Sequence, residues 1–310
     1  MSQPEAIPLV VIVGPTAVGK SALALELALK LGLEIINADS MQVYRGMDIG
    51  SAKPSTAERN LVPHHLIDIR NPDEDYSAAR FLEEARRTIS ELAERGRRAL
   101  VVGGTGLYIQ SLLKGLFPAP PADKGLREQL RTLEREKGKW HLHQQLAAVD
   151  PEAASRIHPN DTFRVIRALE VLHLTGTAIS EHQRRHRFSD SAFAALKIGL
   201  TRDRGEIYRR IEARVDAMIA AGLEGEVRRL LTKGYAPTIK AFQSLGYQQM
   251  LSLIQGAITL DEAIRLIKTN TKRYAKRQLT WFRKDPEIQW FALPEQTAAA
   301  EQLLRKFLNI

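Results

Sequence analysis

The sequence predicts an α/β fold, in which a parallel sheet is flanked by helices and interrupted by an all-helical insertion. Short apolar runs alternate with amphipathic helical patterns over the first 110 residues, as in parallel sheets. A glycine loop directly follows the first apolar run and precedes a helical pattern. From residue 124 to about residue 187 only helical patterns occur, and an apolar run then returns at 194–201.

The first 120 residues are expected to form the first part of the core. Four apolar runs have the length and buried character of parallel strands, and they are LVVIV (9–13), EIINAD (34–39), HLIDI (65–69) and RALVVGG (98–104). Between them, helical periodicity predicts helices over 20–31 and 77–95, the second starting at a serine suited to cap it. A further helical pattern, LYIQSLLKG, follows the fourth run.

Three prolines in FPAPPAD (117–123) break this alternation and mark a boundary. We therefore expect residues 121–192 to form the helical insertion and residues 193–310 to complete the core. The completion is predicted to contain a strand at 194–201, long helices, a last strand IQWFAL (288–293) and a closing helix. The long helices are expected at about 203–221, 223–233 and 259–284.

Composition narrows the class of protein. The 310 residues are 44% hydrophobic and contain no cysteine, which excludes disulfides and cysteine-ligated zinc. The N-terminus lacks the basic start and apolar run of a signal peptide, and no apolar run approaches the ~20 residues of a membrane span. A cytoplasmic protein with no membrane partner is the expectation.

The net charge of +9 is unevenly distributed along the chain. Residues 1–130 carry a net charge of −1, whereas residues 131–310 carry a net charge of +10. Such an asymmetry favours a polyanion as the partner of the later part of the chain over a purely solubilising role for the charge.

The glycine loop GPTAVGKS (14–21) fits the pattern G-x-x-x-x-G-K-[ST] between a strand and a helix, the context that supports a phosphate site. Its glycines permit the tight backbone that directs N–H groups toward phosphate oxygens, and the Ser21 hydroxyl is placed to ligate Mg²⁺. The loop predicts a core of the P-loop type. The residues expected at the phosphate are Gly14, Pro15, Thr16, Ala17, Val18, Gly19, Lys20 and Ser21.

The acidic residue that usually accompanies such a loop is missing. ATP and GTP hydrolases hold Mg²⁺ with an aspartate after an apolar strand. Here the strand ALVV is followed by Gly103, Gly104 and Thr105, and the other candidate, Asp68, is expected inside the strand HLIDI. The loop is therefore compatible with a diphosphate that acts as a leaving group rather than with a triphosphate that is hydrolysed.

Eight segments occur in an order that is typical of one enzyme family. They are GPTAVGKS (14–21), DSMQVYRGMDIGSAKP (39–54), HHLIDI (64–69), DYSAARF (75–81), VGGTGLY (102–108), RVIRALEV (164–171), SLGYQQM (244–250) and YAKRQLTWFR (274–283). With these segments the chain resembles the bacterial tRNA dimethylallyltransferases, or IPP transferase family, from about residue 9 to residue 291. It departs at Ser51, where the family usually has threonine, and at the uncharged Gln243 and Gln248, where some relatives have arginine.

The resemblance implies a prenyl transfer to tRNA. A dimethylallyl group would pass from dimethylallyl diphosphate to the exocyclic N6 amine of the adenosine 3′ of the anticodon, giving N6-dimethylallyladenosine and diphosphate. The implied cofactor is Mg²⁺, and the implied partners are the tRNA anticodon stem-loop and the isoprenoid diphosphate. A monomer is expected.

Two cations are expected to stabilise the negative charge that develops on the departing diphosphate. One is Lys20 in the glycine loop. For the other, the family pattern points to Arg214, which shares a helix face with Arg210. The alternative is that these arginines belong to a surface charge array, paired with Glu206 and Glu212.

Two residues are expected near the acceptor amine. Asp39 ends the second predicted strand, at the sheet edge where α/β proteins bind ligands, and it is expected to take the amine proton. The alternative is an aspartate that caps a helix or a turn. Thr105 reaches the same edge after the Gly-Gly turn, and the resemblance implies that its hydroxyl orients the leaving oxygen or the amine. The alternative is a threonine that caps a helix.

The resemblance also implies a set of tRNA contacts, since the enzyme must extrude a stacked base to reach its amine. They are Asp39, Ser40, Met41, Gln42, Thr105, Arg127, Phe163, Arg164, Val165, Ile166, Arg167, Gln243, Ser244, Leu245, Gly246, Tyr247, Gln248, Lys276, Arg277, Gln278, Leu279, Thr280, Trp281, Phe282 and Arg283. The last segment has support of its own, because residues 265–284 contain eight basic, three aromatic and no acidic side chains. Basic side chains suit phosphates and aromatic faces suit unstacked bases, although part of the aromatics is expected in the core.

Three other functions stay open at the level of sequence. An isopentenyltransferase for free adenine nucleotides shares the core but needs neither the helical insertion nor the basic helix. A P-loop kinase for small molecules is disfavoured by the missing acidic residue, and a non-enzymatic RNA-binding module by the complete phosphate loop. A zinc site at His182 and His186 is disfavoured, because no carboxylate pair stands near them in the sequence.

Overall fold

A computed structural model describes residues 6–186 and 192–310. Within them one sheet of six strands forms, and every neighbouring pair of strands is parallel. The strands are β1 (Ile7–Val13), β2 (Leu33–Asn37), β3 (His64–His65), β4 (Arg98–Val102), β5 (Phe193–Thr201) and β6 (Gln289–Ala292). Their order across the sheet is β3-β2-β4-β1-β5-β6, so the predicted α/β class with a parallel sheet is confirmed.

Helices cover both faces of the sheet, and they are the regular elements of the described segment between β4 and β5. They are α1 (Lys20–Leu31), α2 (Thr56–Leu61), α3 (Ala78–Glu94), α4 (Gly106–Lys114), α5 (Lys124–Lys137), α6 (His141–Val149), α7 (Pro151–Arg156), α8 (Thr162–Thr175), α9 (Ile179–His186), α10 (Arg204–Ala220), α11 (Leu223–Thr232), α12 (Tyr247–Ile254), α13 (Leu260–Phe282) and α14 (Thr297–Leu308). The chain divides into two compact units. The first comprises residues 1–113 and 191–310, and the second comprises residues 114–190.

The central strands divide their side chains between two apolar clusters, one on each face of the sheet. In β1, Leu9, Val11 and Val13 belong to one cluster, whereas Val10 and Ile12 belong to the other. Successive side chains of a strand point to opposite faces, so a strand covered on both faces can be a continuous apolar run. The first cluster includes residues of α3, α10 and α13, and the second includes residues of α1 and α14.

The parallel strands bring their carboxyl ends to one edge of the sheet. Ile12 of β1 is level with Val102 of β4 on one side and with Ile198 of β5 on the other. The glycine loop, the Gly-Gly turn and the segment after β5 therefore all leave the sheet at this edge. This is the edge where open α/β sheets bind their ligands.

The predicted third strand, HLIDI (65–69), is wrong in its extent. Only His64–His65 form β3, because Leu66 and Asp68 have positive φ angles of 60° and 56°, which a strand does not accommodate. Asp68 therefore does not lie inside a strand as expected. Its carboxylate instead accepts hydrogen bonds from Lys53 and Arg59, both at 2.6 Å.

The second unit has an apolar core of its own. Leu142, Leu146, Val165 and Leu169 are among its buried residues, and they recur with helical spacing on α6 and α8. Among the helices that the structure describes, none combines the length and the apolar character needed to cross a membrane.

Candidate active site

The glycine loop connects β1 to α1 through a backbone that only some residue types adopt readily. Gly14, Ala17 and Gly19 have positive φ angles of 147°, 65° and 114°. A Cβ atom on Gly14 would lie 2.7 Å from the carbonyl oxygen of Leu200, so no larger residue fits where β1 runs beside β5. Helix α1 begins at Lys20, and its N-terminal N–H groups and positive dipole end favour an anion at the loop.

Four cationic side chains hold atoms of the loop. Lys20 Nζ donates to two loop carbonyl oxygens, both at 2.9 Å. Arg210 donates to a third carbonyl at 2.8 Å, and Arg214 donates to the hydroxyl of Thr16 at 3.2 Å. Arg202 donates to a fourth carbonyl at 2.7 Å. Sequence reasoning missed Arg202, although its place directly after β5, at the ligand-binding edge, was a signal.

The alternative of a surface charge array does not describe this part of α10. Glu206 pairs with Arg202 at 2.5 Å, and Glu212 pairs with Lys272. Both glutamates are thus engaged away from Arg210 and Arg214, so the two arginines keep their positive charge for the loop.

Burial changes the acid–base properties of these cations. It lowers the pKa of Lys20 to about 8, with Asp39 opposing and Arg214 adding to the effect. Burial also lowers the pKa of Arg214, and Arg210 adds to that effect. Removal from water is the main cause of both shifts. Because the effective dielectric constant is low where water is excluded, electrostatic interactions with a bound anion are stronger there.

Asp39 lies two residues beyond β2 and lines the same cavity as Lys20 and Arg214. Its Oδ1 accepts the backbone N–H of Met41 at 2.8 Å, which fixes the carboxylate in a turn. Burial raises the pKa of Asp39, whereas the Met41 hydrogen bond and Lys20 oppose the rise. A carboxylate with a raised pKa in a cavity is suited to accept a proton from a ligand.

The Gly-Gly turn after β4 brings Thr105 beside the Asp39 turn. A Cβ atom on Gly103 would lie 2.1 Å from the carbonyl oxygen of Ala38, so glycine is needed for this close approach. Thr105 Oγ1 accepts the backbone N–H of Ser40 at 3.1 Å. Because Oγ1 acts as an acceptor there, its own proton can still be donated to a ligand.

One cavity of about 280 Å³ joins the cations Lys20, Arg210 and Arg214 to Asp39 and to the Gly-Gly turn, whereas Thr105 is not among its lining residues. The cationic end is lined by Lys20, Ser21, Arg210 and Arg214, next to Asp39. The rest of the lining includes apolar and polar side chains that sequence reasoning did not assign, and they are Ile35, Asn37, Pro54, Glu58, His64 and Ile67. A charged end with an apolar neighbourhood suits a small ligand that has a charged head and a hydrocarbon part.

A buried carboxylate holds part of the 41–54 segment, whose Gln42, Ser51, Ala52 and Pro54 line the cavity. Glu226 of α11 accepts three consecutive backbone N–H groups, those of residues 48, 49 and 50, at 2.9, 2.8 and 3.2 Å. It also accepts the hydroxyl hydrogen of Tyr247 at 2.6 Å. Sequence reasoning missed Glu226, because its partners lie some 176 to 178 residues away in the chain.

The tRNA-binding positions expected in the first unit differ in exposure. Those with exposed side chains are Gln243, Gln248, Lys276, Arg277, Thr280, Trp281 and Arg283. Those that are half-buried are Asp39, Ser40, Met41, Gln42, Thr105, Ser244, Leu245 and Leu279. The remaining ones are buried, and they are Gly246, Tyr247, Gln278 and Phe282. A buried side chain supports the shape of the surface rather than forming part of it.

The cations near the C-terminal end of α13 form an open basic surface. Among the described residues, no carboxylate lies within ion-pair distance of Lys276, Arg277 or Arg283. Earlier on the helix, by contrast, Lys268 pairs with Asp216 at 2.7 Å. We refer to Lys276, Arg277 and Arg283 as the basic end of α13.

Two arginines expected at the RNA are held by a carboxylate inside the second unit. Arg127 donates twice to Glu170, both times at 2.7 Å, and Arg167 donates to the same group at 2.5 Å. Burial alone would raise the pKa of Glu170, but the hydrogen bonds from the two arginines outweigh it and lower that pKa to about 2. One carboxylate is shared by two guanidinium groups, so the cluster keeps a net positive charge, but both arginines are fixed in place.

Their neighbours at the start of α8 divide between surface and core. Phe163 is 69% exposed and Arg164 is exposed, whereas Val165 and Ile166 are buried in the apolar core of the second unit. The guanidinium of Arg127 lies 5.8 Å from the centroid of the Phe163 ring. The solvent-exposed side chains of this segment are thus one aromatic ring, Phe163, and one cation, Arg164.

Comparisons with known proteins identify the family of the chain. The family model described as IPP transferase matches residues 42–285. A tRNA dimethylallyltransferase of Geobacter metallireducens is 54% identical over 294 residues, which cover 95% of each chain. A second, from Geobacter sulfurreducens, is 50% identical over 301 residues, which cover 97% of each chain.

Solved structures show the same similarity. The full-length tRNA isopentenylpyrophosphate transferase of Bacillus halodurans is 42% identical, with a TM-score of 0.72 and 97% of each chain covered. A eukaryotic dimethylallyltransferase, captured acting on tRNA, is 30% identical, with a TM-score of 0.79, and covers 98% of this chain and 79% of its own. Since the family model spans most of the chain and the similarity extends over nearly all of it, the chain belongs to the IPP transferase family and is a transferase.

Proposed function

We propose that the protein transfers a dimethylallyl group from dimethylallyl diphosphate to the N6 amine of the adenosine 3′ of the anticodon in tRNA. The observation that carries the proposal is the single cavity in which the cations of the glycine loop lie next to the Asp39 carboxylate. One end suits a diphosphate, and the other offers a proton acceptor. The relatives' names, which specify dimethylallyl transfer and tRNA, support it.

The reaction needs charge stabilisation at one end of the cavity. As the bond between C1 of the allyl group and the diphosphate oxygen breaks, its electron pair leaves on the diphosphate. Lys20, Arg210 and Arg214 are placed to stabilise that charge, together with the N–H groups at the start of α1. In other enzymes, loss of one such group raises the barrier by ~2.7–4 kcal/mol.

The N6 amine of the acceptor needs activation at the other end of the cavity, because its lone pair is delocalised into the purine. The N6 lone pair forms the new bond to C1, and the amine proton passes to the Asp39 carboxylate. We assign Thr105 to orient the amine or the leaving oxygen, since its hydroxyl lies beside the Asp39 turn.

Mg²⁺ fits the donor set of this site as a partner of the diphosphate. Among the described residues, no cluster of three or more His, Cys, Asp or Glu side chains could cage a metal ion. The ion would instead be held by the Ser21 hydroxyl and diphosphate oxygens, as is usual for Mg²⁺ at phosphates. When bound, it would neutralise charge on the leaving group.

The direct test is incubation with unmodified tRNA, dimethylallyl diphosphate and Mg²⁺, followed by mass analysis of the nucleosides. We expect one dimethylallyl adduct, on the adenosine beside the anticodon. An adduct on free AMP but none on tRNA would move the protein to nucleotide acceptors, and no product with either would contradict the proposal. Because tRNA is the acceptor, we also propose that the enzyme acts in the cytoplasm. We further propose that it is a monomer, and light scattering of the purified protein tests its oligomeric state.

The role of Asp39 has its own test. Asp39→Ala should lower kcat by about 10²–10⁴-fold, the range for loss of a general base, while the Kd for tRNA changes little. Undiminished turnover would remove Asp39 from the proton transfer. Equal loss of turnover and of tRNA binding would indicate a structural role in the turn.

A further inference from the structure

Gln278 differs from its neighbours on α13. Lys276, Arg277, Thr280 and Trp281 have exposed side chains, whereas the side chain of Gln278 is only 6% exposed. It lies on the buried face of α13, between the exposed side chains of Arg277 and Thr280. A buried amide carries two donors and two acceptor positions, so its partners determine why a polar group stands there.

Both ends of the amide bind backbone atoms of the site. Its Oε1 accepts the N–H of Thr16 in the glycine loop at 2.8 Å. Its Nε2 donates to the carbonyl oxygen of Gly104 in the Gly-Gly turn at 2.9 Å. The two contacts use opposite ends of the group, so the orientation of the amide is fixed by its partners.

The close approach of Gln278 to the turn requires glycine at position 104. A Cβ atom on Gly104 would lie 2.2 Å from Gln278 Nε2 and 3.7 Å from Lys20 Nζ. The residue after Gly104 is Thr105, which accepts the N–H of Ser40. One side chain thereby links the loop expected at the diphosphate to the turn that positions Thr105 beside Asp39.

We propose that Gln278 is a positioning residue, which fixes the distance between the diphosphate loop and the Thr105 turn, and that its side chain is not a tRNA contact. This inference rests on the proposed function. The leaving group would be bound by one of the two segments and the acceptor amine oriented by the other. A change in their spacing would therefore misalign the reacting atoms without removing any group that touches them.

The first test is Gln278→Ala, measured by steady-state kinetics and by binding. We expect kcat to fall by about 10- to 100-fold, the scale of a small misplacement, and the Kd for inorganic diphosphate to rise. The Kd for tRNA should stay within about 2-fold of that of the wild type, because the side chain does not reach the surface. Weaker tRNA binding with kcat retained at saturating tRNA would overturn the proposal.

Gln249→Ala is the matched control for loss of a buried glutamine. Gln249 is also 6% exposed, and its amide oxygen accepts the N–H of Gly246 at 2.9 Å, within α12. The control should lower Tm as much as Gln278→Ala does, without the loss of kcat. If both variants lose kcat in proportion to Tm, Gln278 has only a structural role and the proposal fails.

Gln278→Glu is the sharper variant, because it nearly preserves shape. An ionised carboxylate still accepts from Thr16 but opposes the Gly104 carbonyl oxygen, whereas a protonated one can donate to that oxygen. Lys20, Asp39 and Tyr274 are the titratable groups nearby, and they titrate in both proteins, so the ratio of the variant's rate to the wild-type rate isolates position 278. That ratio should rise as pH falls, and a ratio independent of pH would contradict the proposal.

The activity of the wild-type protein distinguishes failure of the proposed function from failure of the positioning role of Gln278. If it forms no dimethylallyl adduct, the proposed function fails. The positioning role can still be tested then, by the Kd for inorganic diphosphate in Gln278→Ala. An active wild type with an unchanged Gln278→Ala variant would remove the positioning role alone.

Discussion

At the scale of single residues, burial moves the pKa values of Lys20 and Asp39 toward each other. It lowers that of Lys20 to about 8 and raises that of Asp39 above the ordinary 3.8. Removal from water disfavours both charged forms, although each charge favours the other. The proposed reaction needs the charged form of both residues, so under that proposal the two pKa values define the pH range in which the free enzyme is competent.

We therefore expect a bell-shaped dependence of kcat/KM on pH. Its acidic side falls as pH drops through the raised pKa of Asp39, and its alkaline side falls as pH rises through about 8, where Lys20 loses its proton. Lys20→Arg tests the alkaline side, because arginine stays protonated throughout this range. The variant should be slower but should keep its rate above pH 8. An alkaline side that persists in Lys20→Arg would assign that titration to another group.

Sequence reasoning selected the candidate residues that a local pattern in the chain marks. Lys20 and Ser21 belong to a continuous loop motif, and Asp39 stands directly after an apolar strand. Arg202, Glu226 and Gln278 were missed in their structural roles, because the backbone hydrogen bonds that give them those roles join residues 174 or more positions apart. No local pattern distinguishes such a glutamine from a surface one in a basic helix.

At the scale of elements, strand and helix periodicities were sufficient for most of the fold. The first helix was predicted over 20–31 and begins and ends there, because a glycine stands at each of its ends. The expected third strand failed, because positive φ angles at Leu66 and Asp68 depend on tertiary contacts rather than on residue type. Helix α2 was missed, although Ser55 and Glu58 form a capping box at its start. For a helix this short, the capping box is the main sequence signal.

Glu226 anchors residues 48–50 of the 41–54 segment from another part of the chain, and this gives a prediction about stability. Glu226→Ala would leave three backbone N–H groups and the Tyr247 hydroxyl without their acceptor, so it should lower the free energy of unfolding by about 3 kcal/mol or more. Tyr247→Phe removes a single donor and should cost about 1 kcal/mol. Urea unfolding measures both.

Activity provides the second measurement for this segment. Since Gln42 and Ser51 line the cavity, Glu226→Ala should also raise KM for the isoprenoid diphosphate, whereas Tyr247→Phe should change it little. Equal losses of stability in the two variants would show that the carboxylate is not the main anchor of the segment.

At the scale of the whole molecule, the excess positive charge is not uniformly available to a polyanion. Arg127 and Arg167 are bound to Glu170, and many surface arginines form i,i+4 pairs with glutamates. The basic end of α13 has no such partner among the described residues. The net charge therefore predicts the class of partner, and the ion pairs decide which cations remain for it.

We expect the salt dependence of tRNA binding to report this difference. Each phosphate contact contributes about 0.7 to 0.9 to the slope of log Kd against log salt concentration, so removing Lys276, Arg277 and Arg283 together should lower that slope by about 2 to 3. A matched triple variant removes three cations that are paired with glutamates, Arg87, Arg228 and Arg305, and should leave the slope nearly unchanged. Filter binding of tRNA at roughly 50 to 200 mM salt measures the slopes of both variants. Equal losses in the two variants would mean that tRNA responds to the diffuse positive field of the protein, and a loss only in the first would locate the phosphate contacts at the end of α13.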